Sequence, residues 1–310
     1  MKFSFQNPTG QRTPGFTLVE LMLSMAITAI IVSAMVALIG TASDTWARNS
    51  AQVRAARQAK VFIDTMAKDL ESMVSRPGNR FGWLHAEMDT SANLPNVTRG
   101  QAGSSEAAAL TFMTAATDRY LGQVGTAADR GGDISCVSYR LRYQDPIDGG
   151  TDPETSTFVL YRLLVDPDET FANLLGQEDL GAAIDAYSQQ MADRENFICE
   201  NVHQFTITFL VEVQRSHGNG TRPETVRATL SSDAPAGRFT VTGSGLDTDI
   251  TVAGVSAEQL AAGRLRAVEI SLSVLSDAGI TRRNAGDGLS PADYAGNVFH
   301  YSRVVTVPSL

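Results

Sequence analysis

Four acidic side chains lie close together in one short stretch, and carboxylates of this kind bind hard cations. They are Asp145, Asp148, Asp152 and Glu154. Calcium takes about six to eight oxygen ligands, often from a flexible loop, which this stretch could supply. Its spacing is not that of an EF-hand, however, and its prolines and glycines are equally typical of a solvated hairpin loop. We therefore expect no cofactor, with calcium as the one candidate.

The two cysteines, Cys136 and Cys199, are the next residues that could do chemistry. Both flank apolar runs and lie in the part of the chain expected outside the cytoplasm, where disulfides can form. A disulfide between them would close a loop of about 60 residues and stabilise the fold by roughly 4 kcal/mol. Two buried free thiols are the alternative, and the sequence leaves both open.

Patterns for catalysis and for nucleic-acid binding are missing from the sequence. No histidine stands in an HxxxH, HExxH or cysteine-linked zinc pattern, and no glycine-rich phosphate loop ends in Lys-Ser or Lys-Thr. The net charge is −9, and the basic residues are scattered among more numerous acids. Since a phosphate backbone is bound by clustered Lys and Arg, we expect no nucleic-acid partner, and we expect no enzyme activity. The histidines are His85, His203, His217 and His300.

An apolar segment near the N-terminus contains a single carboxylate, Glu20. The segment runs from Phe16 to Ile39, which as a helix is about 36 Å long and covers a hydrocarbon core of about 30 Å. A cleaved signal peptide has an apolar region of only about 7 to 15 residues, so a transmembrane helix over residues 16–39 is predicted. Lys2 and Arg12 precede it, which places the short N-terminus in the cytoplasm and the body outside.

The stretch Gly15-Phe16-Thr17-Leu18-Val19-Glu20, after a short basic leader and before an apolar span, resembles the cleavage and methylation motif of type IV prepilins and type II secretion pseudopilins. In that family a membrane peptidase cuts after the glycine, and the new N-terminal residue is methylated. The resemblance implies cleavage between Gly15 and Phe16, with prepilin peptidase as a partner. It also implies a bacterial inner-membrane location, single-pass before cleavage, with the body in the periplasm or on an extracellular fibre.

The resemblance offers a reason for the acid within the span. In a fibre of parallel helices, the new ammonium of Phe16 in one subunit could meet the Glu20 carboxylate of its neighbour. Removal of one partner would leave a buried unpaired charge, at a cost of roughly 3 to 5 kcal/mol. Phe16 and Glu20 are thus predicted assembly residues, with other pilin or pseudopilin subunits as partners through the N-terminal helix. The alternative is an interfacial acid without a function.

The helical pattern continues beyond the span. Residues 43–75 contain no Gly or Pro, and apolar residues recur at three- and four-residue spacing. The opposite face carries mostly basic residues together with Asp69. The predicted organisation is a leader over 1–15, a continuous helix over 16–75, a loop over 76–105 and a globular domain over 106–310.

The sequence of the globular domain predicts mostly strands, many of them with alternating apolar and polar residues. The predicted strands are 108–114, 135–143, 157–165, 203–214, 225–230, 238–242, 249–253, 266–275 and 302–307, with a helical stretch over 168–192. The predicted fold is α+β and pilin-like: a long N-terminal α-helix, transmembrane in its first half, packed on a domain rich in antiparallel β-sheet.

The body is similar to that of the J-type minor pseudopilin. The similarity lies in Val137-Ser138-Tyr139-Arg140-Leu141, in Leu160-Tyr161-Arg162 and in the late strand Leu265-Arg266-Ala267-Val268-Glu269-Ile270. The predicted function is therefore that of a prepilin-like, minor pseudopilin in a type II secretion pseudopilus or a type IV pilus-like fibre. The alternative is a membrane-anchored adhesin or binding protein that recognises a surface ligand through its β domain.

Overall fold

The computed structural model describes residues 15, 17–89, 94–98, 107–115, 133–152, 154–217, 220–230, 237–286 and 288–308. By its internal contacts the chain divides into two units, Met1–Ser50 and Ala51–Leu310. All the predicted strands fall in the second unit.

The first element is the long helix α1, Leu18–Glu71, which is continuous as predicted. It ends four residues earlier than expected. Met73 forms a bridge with Thr114, and the N–H of Val74 donates to the carbonyl of Met113 at 2.8 Å. The backbone therefore leaves the helix because it pairs with a strand of the body, before the Pro77-Gly78 pair is reached.

A seven-stranded antiparallel sheet forms the larger layer of the body, with strand order β5-β4-β3-β2-β1-β8-β9. Its strands are β1 Gly82–Met88, β2 Ala108–Thr114, β3 Ser135–Gln144, β4 Thr157–Val165, β5 Phe197–Glu200, β8 Arg238–Thr242 and β9 Gly245–Thr248. The prediction of a loop over 76–105 is therefore wrong over residues 82–88, where β1 forms. Strand β1 pairs with β2 on one side and β8 on the other, and both of its faces are covered. Five of its seven residues are therefore buried.

A four-stranded antiparallel sheet with order β11-β10-β6-β7 forms the second layer. Its strands are β6 Val202–His217, β7 Gly220–Thr229, β10 Arg264–Leu275 and β11 Val298–Thr306. The strand predicted at 249–253 is not formed, because the tight Gly243-Ser244 turn brings β9 back against β8 four residues earlier. The short helices α5 Ala257–Ala261, α6 Asp277–Asn284 and α7 Pro291–Asn297 connect the later strands.

The main core lies where residues 51–71 of α1 meet the inner faces of both sheets. Phe62 shows this arrangement, since its ring makes edge contacts at 5.6 Å with Tyr139 of the first sheet and at 5.6 Å with Phe205 of the second. Edge-to-face aromatic pairs stabilise by about 0.5–1.5 kcal/mol beyond the area that they bury. The α+β prediction of a long helix packed on antiparallel sheets is confirmed.

A series of short helical turns covers the other face of the seven-stranded sheet. These are α2 Pro167–Glu169, a π-helical turn Thr170–Leu174, α3 Leu180–Ile184, a 3-10 turn Asp185–Tyr187, α4 Ser188–Met191 and a 3-10 turn Arg194–Asn196. The single helical stretch predicted over 168–192 is therefore interrupted. Gly176, at φ +92°, is in the left-handed region that ends a helix.

Candidate functional site: the N-terminal segment and its helix

The start of α1 is held by three reciprocal hydrogen bonds between Thr17 and Glu20. The backbone N–H and the hydroxyl of Thr17 each donate to Oε2 of Glu20 at 3.0 Å, and the Glu20 N–H donates to the Thr17 hydroxyl oxygen at 3.3 Å. This is a capping box, in which two backbone N–H groups at the helix start are satisfied by side chains. The carboxylate also suits the positive end of the helix dipole.

The capping box appears in the sequence as Thr-x-x-Glu, whereas the sequence predicts for Glu20 either an intermolecular role or no function. The structure adds an intramolecular one. Both hydrogen bonds from Thr17 reach Oε2, and in the described part of the chain no hydrogen bond to Oε1 occurs. Gly15 is open: among the described residues, no atom lies within 4 Å of the place where a Cβ would stand. Phe16 lies outside the described residues, so its pairing with Glu20 of a neighbour stays a prediction.

The first half of α1 exposes its apolar side chains on all sides. Leu18, Val19, Ile30 and Leu38 are each at least 68% exposed. Burial of such side chains normally stabilises a protein by about 1.5–3 kcal/mol each, so this surface calls for an apolar environment. Within the described residues, α1 is the one helix long and apolar enough to cross a membrane. By length and composition it can serve as a membrane anchor.

The last part of α1 is joined to the seven-stranded sheet by a buried ion pair. The Arg162 guanidinium donates to Asp69 through Nε at 2.7 Å and through a terminal nitrogen at 2.9 Å, and the hydroxyl of Tyr139 donates to the same carboxylate. All three residues are buried, so the expectation that Asp69 lies on the polar face of the helix is wrong. The interior position and the nearby carboxylate raise the pKa of Tyr139, which stays a hydrogen-bond donor.

The disulfide considered between Cys136 and Cys199 is not formed, and both thiols are free and buried. Cys136 lies opposite Val165 and Cys199 lies opposite Leu160, on either side of β4. Five residues along a strand and two strand spacings place their Cα atoms more than about 15 Å apart, whereas a disulfide needs roughly 4.4–6.8 Å. The two side chains also belong to separate clusters on opposite faces of the sheet.

The four acidic residues considered for calcium do not converge on a common point. Asp145 accepts the N–H of Ile147 at 2.6 Å, Asp148 accepts that of Gly150 at 2.7 Å, and Asp152 accepts that of Glu154 at 3.0 Å. The hydrogen bond from Ile147 is the main cause of a lowered pKa at Asp145. Among the described residues there is no group of three or more His, Cys, Asp or Glu side chains placed to hold a metal.

The histidines are strand residues. His85 on β1 is buried, its Nδ1 lies 3.2 Å from the hydroxyl of Thr240, and its Nε2 lies 3.4 Å from Glu87. A cavity of about 150 Å³ beside it is also lined by Glu178, Asp179 and Arg238, among others. His300 on β11 is exposed, and its Nδ1 lies 2.8 Å from the hydroxyl of Ser273.

His203 on β6 is also buried, and its Nε2 lies 2.9 Å from the Tyr294 hydroxyl. Burial, aided by the nearby His300, lowers the pKa of His203 to about 4. His217 lies in the same strand. The described contacts of His85, His203 and His300 all lie within the body, and the functional candidates are Gly15, Phe16 and Glu20.

Comparisons with known proteins agree with this placement. Residues 11–36 match the family described as the Prokaryotic N-terminal methylation motif. No curated protein and no solved structure matches the chain. The match covers the capping box and most of the apolar half of α1. The N-terminal segment of this chain is that of a type IV prepilin-like protein.

Proposed function

We propose that the chain is a structural subunit of a fibre assembled from prepilin-like proteins, as a minor subunit of a type II secretion pseudopilus or of a type IV pilus-like fibre. The observation that carries this proposal is the continuity of α1. The capping residue Thr17 lies two positions after Gly15, an exposed apolar segment follows the cap, and the same helix continues without a break to Glu71. The methylation motif covers the start of this arrangement.

The proposed path has a membrane stage and a fibre stage. In the first, the apolar half of α1 spans the inner membrane, with the leader in the cytoplasm and the body in the periplasm. Prepilin peptidase then cuts between Gly15 and Phe16, where the glycine lets an extended backbone enter the protease without a side chain in the way. In the second stage the apolar half of α1 leaves the lipid for the fibre core.

Glu20 has two tasks in this proposal. Its Oε2 caps its own helix through Thr17, and its Oε1 is available to the Phe16 ammonium of a neighbouring subunit. A charge-assisted hydrogen bond of that kind is roughly twice as strong as a neutral one in a dry environment. The pairing sets the axial position of each subunit relative to the next.

The experiment combines mass spectrometry of the native protein with a co-assembly assay. We expect a mature chain that begins at a methylated Phe16. Glu20→Val is expected to be inserted and cleaved as in the wild type but to be missing from fibres pulled down with other prepilin-like subunits. Asp44→Val, which removes an exposed acid further along the same helix, is the matched control and is expected to co-assemble.

Two results would overturn the proposal. One is a chain that keeps Met1 or is trimmed at a bond other than the one after Gly15. The other is a wild-type chain that is missing from the fibres, whereas normal co-assembly of Glu20→Val would overturn only the task assigned to Glu20. The anchored adhesin expected as the alternative from the sequence would then be favoured if the intact chain binds a surface ligand without entering a fibre.

A further inference from the structure

The second half of α1 carries a face that packs on nothing in the described structure. Val53 and Val61 are 50% and 58% exposed there, and the cations Arg57, Lys60 and Lys68 are exposed beside them. We call these five residues the cationic stripe. Lys60 and Val61 are adjacent, and at 3.6 residues per turn all five positions fall within about 100° of the helix circumference, on one side of α1.

Two charged residues of α1 near the stripe already form ion pairs with the body. Arg54 pairs with Asp277 of α6, and Asp64 lies 2.7 Å from Arg303 of β11. For Arg57, Lys60 and Lys68, by contrast, the described residues supply no carboxylate within ion-pair distance. The stripe therefore has charge and apolar area left over after the body has folded.

The opposite charge is concentrated in the helical turns over residues 166–196. They contain eight acidic residues and one basic residue, Arg194. Asp185 is engaged by Arg140 at 2.7 Å, and Asp179 caps α3 through the N–H of Ala182. Exposed acids without an ion pair within the described residues are Glu169, Glu178, Asp193 and Glu195.

The same surface also exposes aromatic area. Phe171 is 50% exposed and Phe197 is 37% exposed. We call the four unpaired acids and these two rings the acidic face. The carboxylates of the acidic face complement the cations of the cationic stripe, and its rings complement the two valines. Aromatic residues at the centre of a protein interface commonly contribute most of its affinity.

The two surfaces lie on opposite sides of the seven-stranded sheet. Tyr139 and Leu141 of β3 face the cluster that contains α1, while Cys136 of the same strand faces the cluster that contains Leu180 and Ile184 of α3. Successive side chains of a strand point to opposite faces, which fixes this separation. The stripe of one molecule thus has no access to the acidic face of the same molecule.

We propose that the cationic stripe docks on the acidic face of a second copy of this chain. Because the two surfaces differ and point in opposite directions, the contact is heterologous, and a heterologous contact that does not close into a ring extends into a filament. The inference deepens the proposed function and rests on it for the setting of a fibre. Two adjacent copies are enough, so the chain need not be the major subunit.

The test measures self-association of the full chain in detergent at low ionic strength, by analytical ultracentrifugation. The double variant Lys60→Glu/Lys68→Glu reverses the charge at two positions of the cationic stripe. The double variant Glu169→Lys/Glu195→Lys does the same on the acidic face. Each double variant alone is expected to associate about tenfold more weakly or worse, because like charges then meet. An equimolar mixture of the two double variants is expected to recover association, and added salt is expected to weaken the wild-type contact.

The control is Arg222→Glu/Arg264→Glu, which makes the same change in net charge on exposed residues of β7 and β10. It is expected to associate like the wild type. The proposal is overturned by a monomeric wild type, by equal loss in the control, or by a mixture of reversed variants that fails to associate. It is also overturned if the stripe variant loses only binding to anionic lipid vesicles. Since no cleavage or fibre is required, failure here is distinct from failure of processing at Gly15.

Discussion

The carboxylate of Asp69 and the guanidinium of Arg162 form a two-point ion pair in the interior, with side chains only 2% and 4% exposed. The pair joins the last part of α1 to strand β4 of the seven-stranded sheet. Such a pair contributes little net stability compared with apolar residues of the same shape, but loss of one member leaves the other charged and unpaired. We therefore expect the pair to specify how α1 is seated on the sheet more than to add net stability.

Asp69→Asn is expected to lower the free energy of unfolding by roughly 3–5 kcal/mol, because the Arg162 charge stays buried without its counter-charge. The measurement is urea denaturation of the chain in detergent, followed by the fluorescence of the buried Trp83. Asp64→Asn is the matched control: its pair with Arg303 is exposed and should contribute about 1 kcal/mol or less. Equal losses for the two variants would contradict the burial of Asp69.

Variants of the capping box should separate the two tasks of Glu20. Thr17→Ala removes the cap and keeps the charge, so we expect fraying of the first turn, at a cost of about 1 kcal/mol, with co-assembly retained. Glu20→Gln keeps a capping oxygen and removes the charge, so we expect a normal helix start and a loss of co-assembly. Co-assembly of both variants, measured by pull-down and quantitative mass spectrometry, would show that the charge is dispensable.

Both cysteines should titrate as free thiols. We expect two thiols per chain with a thiol reagent in denaturant without reductant, and almost none in the folded protein. Burial raises the pKa of the Cys136 thiol and raises that of Cys199 to about 12, which suppresses the reactive thiolate. Cys136→Ser and Cys199→Ser should each retain one reactive thiol in denaturant. A count of zero in the wild type would contradict the separation of the two residues across β4.

His203 should make the body less stable in mild acid. Burial lowers the pKa of His203 to about 4 in the folded state, against about 6.5 in the unfolded chain. The unfolded state therefore binds more protons between these values, and stability is lost as the pH falls from about 6.5 towards 4, by up to about 3 kcal/mol.

His203→Gln can still hydrogen-bond to Tyr294 but does not titrate, so its unfolding free energy should fall less over that pH range. The exposed His300 provides the control, and His300→Gln should retain most of the wild-type slope. Urea denaturation at several pH values measures the difference between variants. Parallel pH profiles for the wild type and His203→Gln would show that the histidine is not buried in the neutral form.

Gly243 in the β8–β9 turn should not tolerate a side chain. A Cβ there would stand 2.5 Å from the carbonyl oxygen of Arg76 and 2.8 Å from that of Asn79, and backbone atoms cannot easily move aside. Gly243→Ala is therefore expected to destabilise the chain by about 1–3 kcal/mol. Gly296→Ala, where the added carbon meets no atom within 4 Å, is the control and should be neutral or slightly stabilising. Thermal denaturation of both variants distinguishes the two sites.

Several features of this protein followed from the sequence alone, because their causes are local. The motif around Gly15 and Glu20 is read from six consecutive residues. The length of α1 follows from the lack of Pro and from a repeating apolar pattern, and strands β2, β4 and β8 were predicted at their observed bounds because their apolar and β-branched residues lie together.

Tertiary structure decided what depends on residues distant along the chain. Strand β1 forms in a segment flanked by turn residues because β2 and β8 supply its hydrogen-bond partners, which no local pattern reports. The helical pattern predicts that Asp69 lies on the polar face of α1. The fold instead buries it beside Arg162, which is 93 positions later in the chain. The cysteines are candidates for a disulfide until strand register puts them on opposite faces of the sheet. Local chemistry thus determined the N-terminal segment and its helix, whereas burial, charge pairing and the two opposed charged surfaces required the folded body.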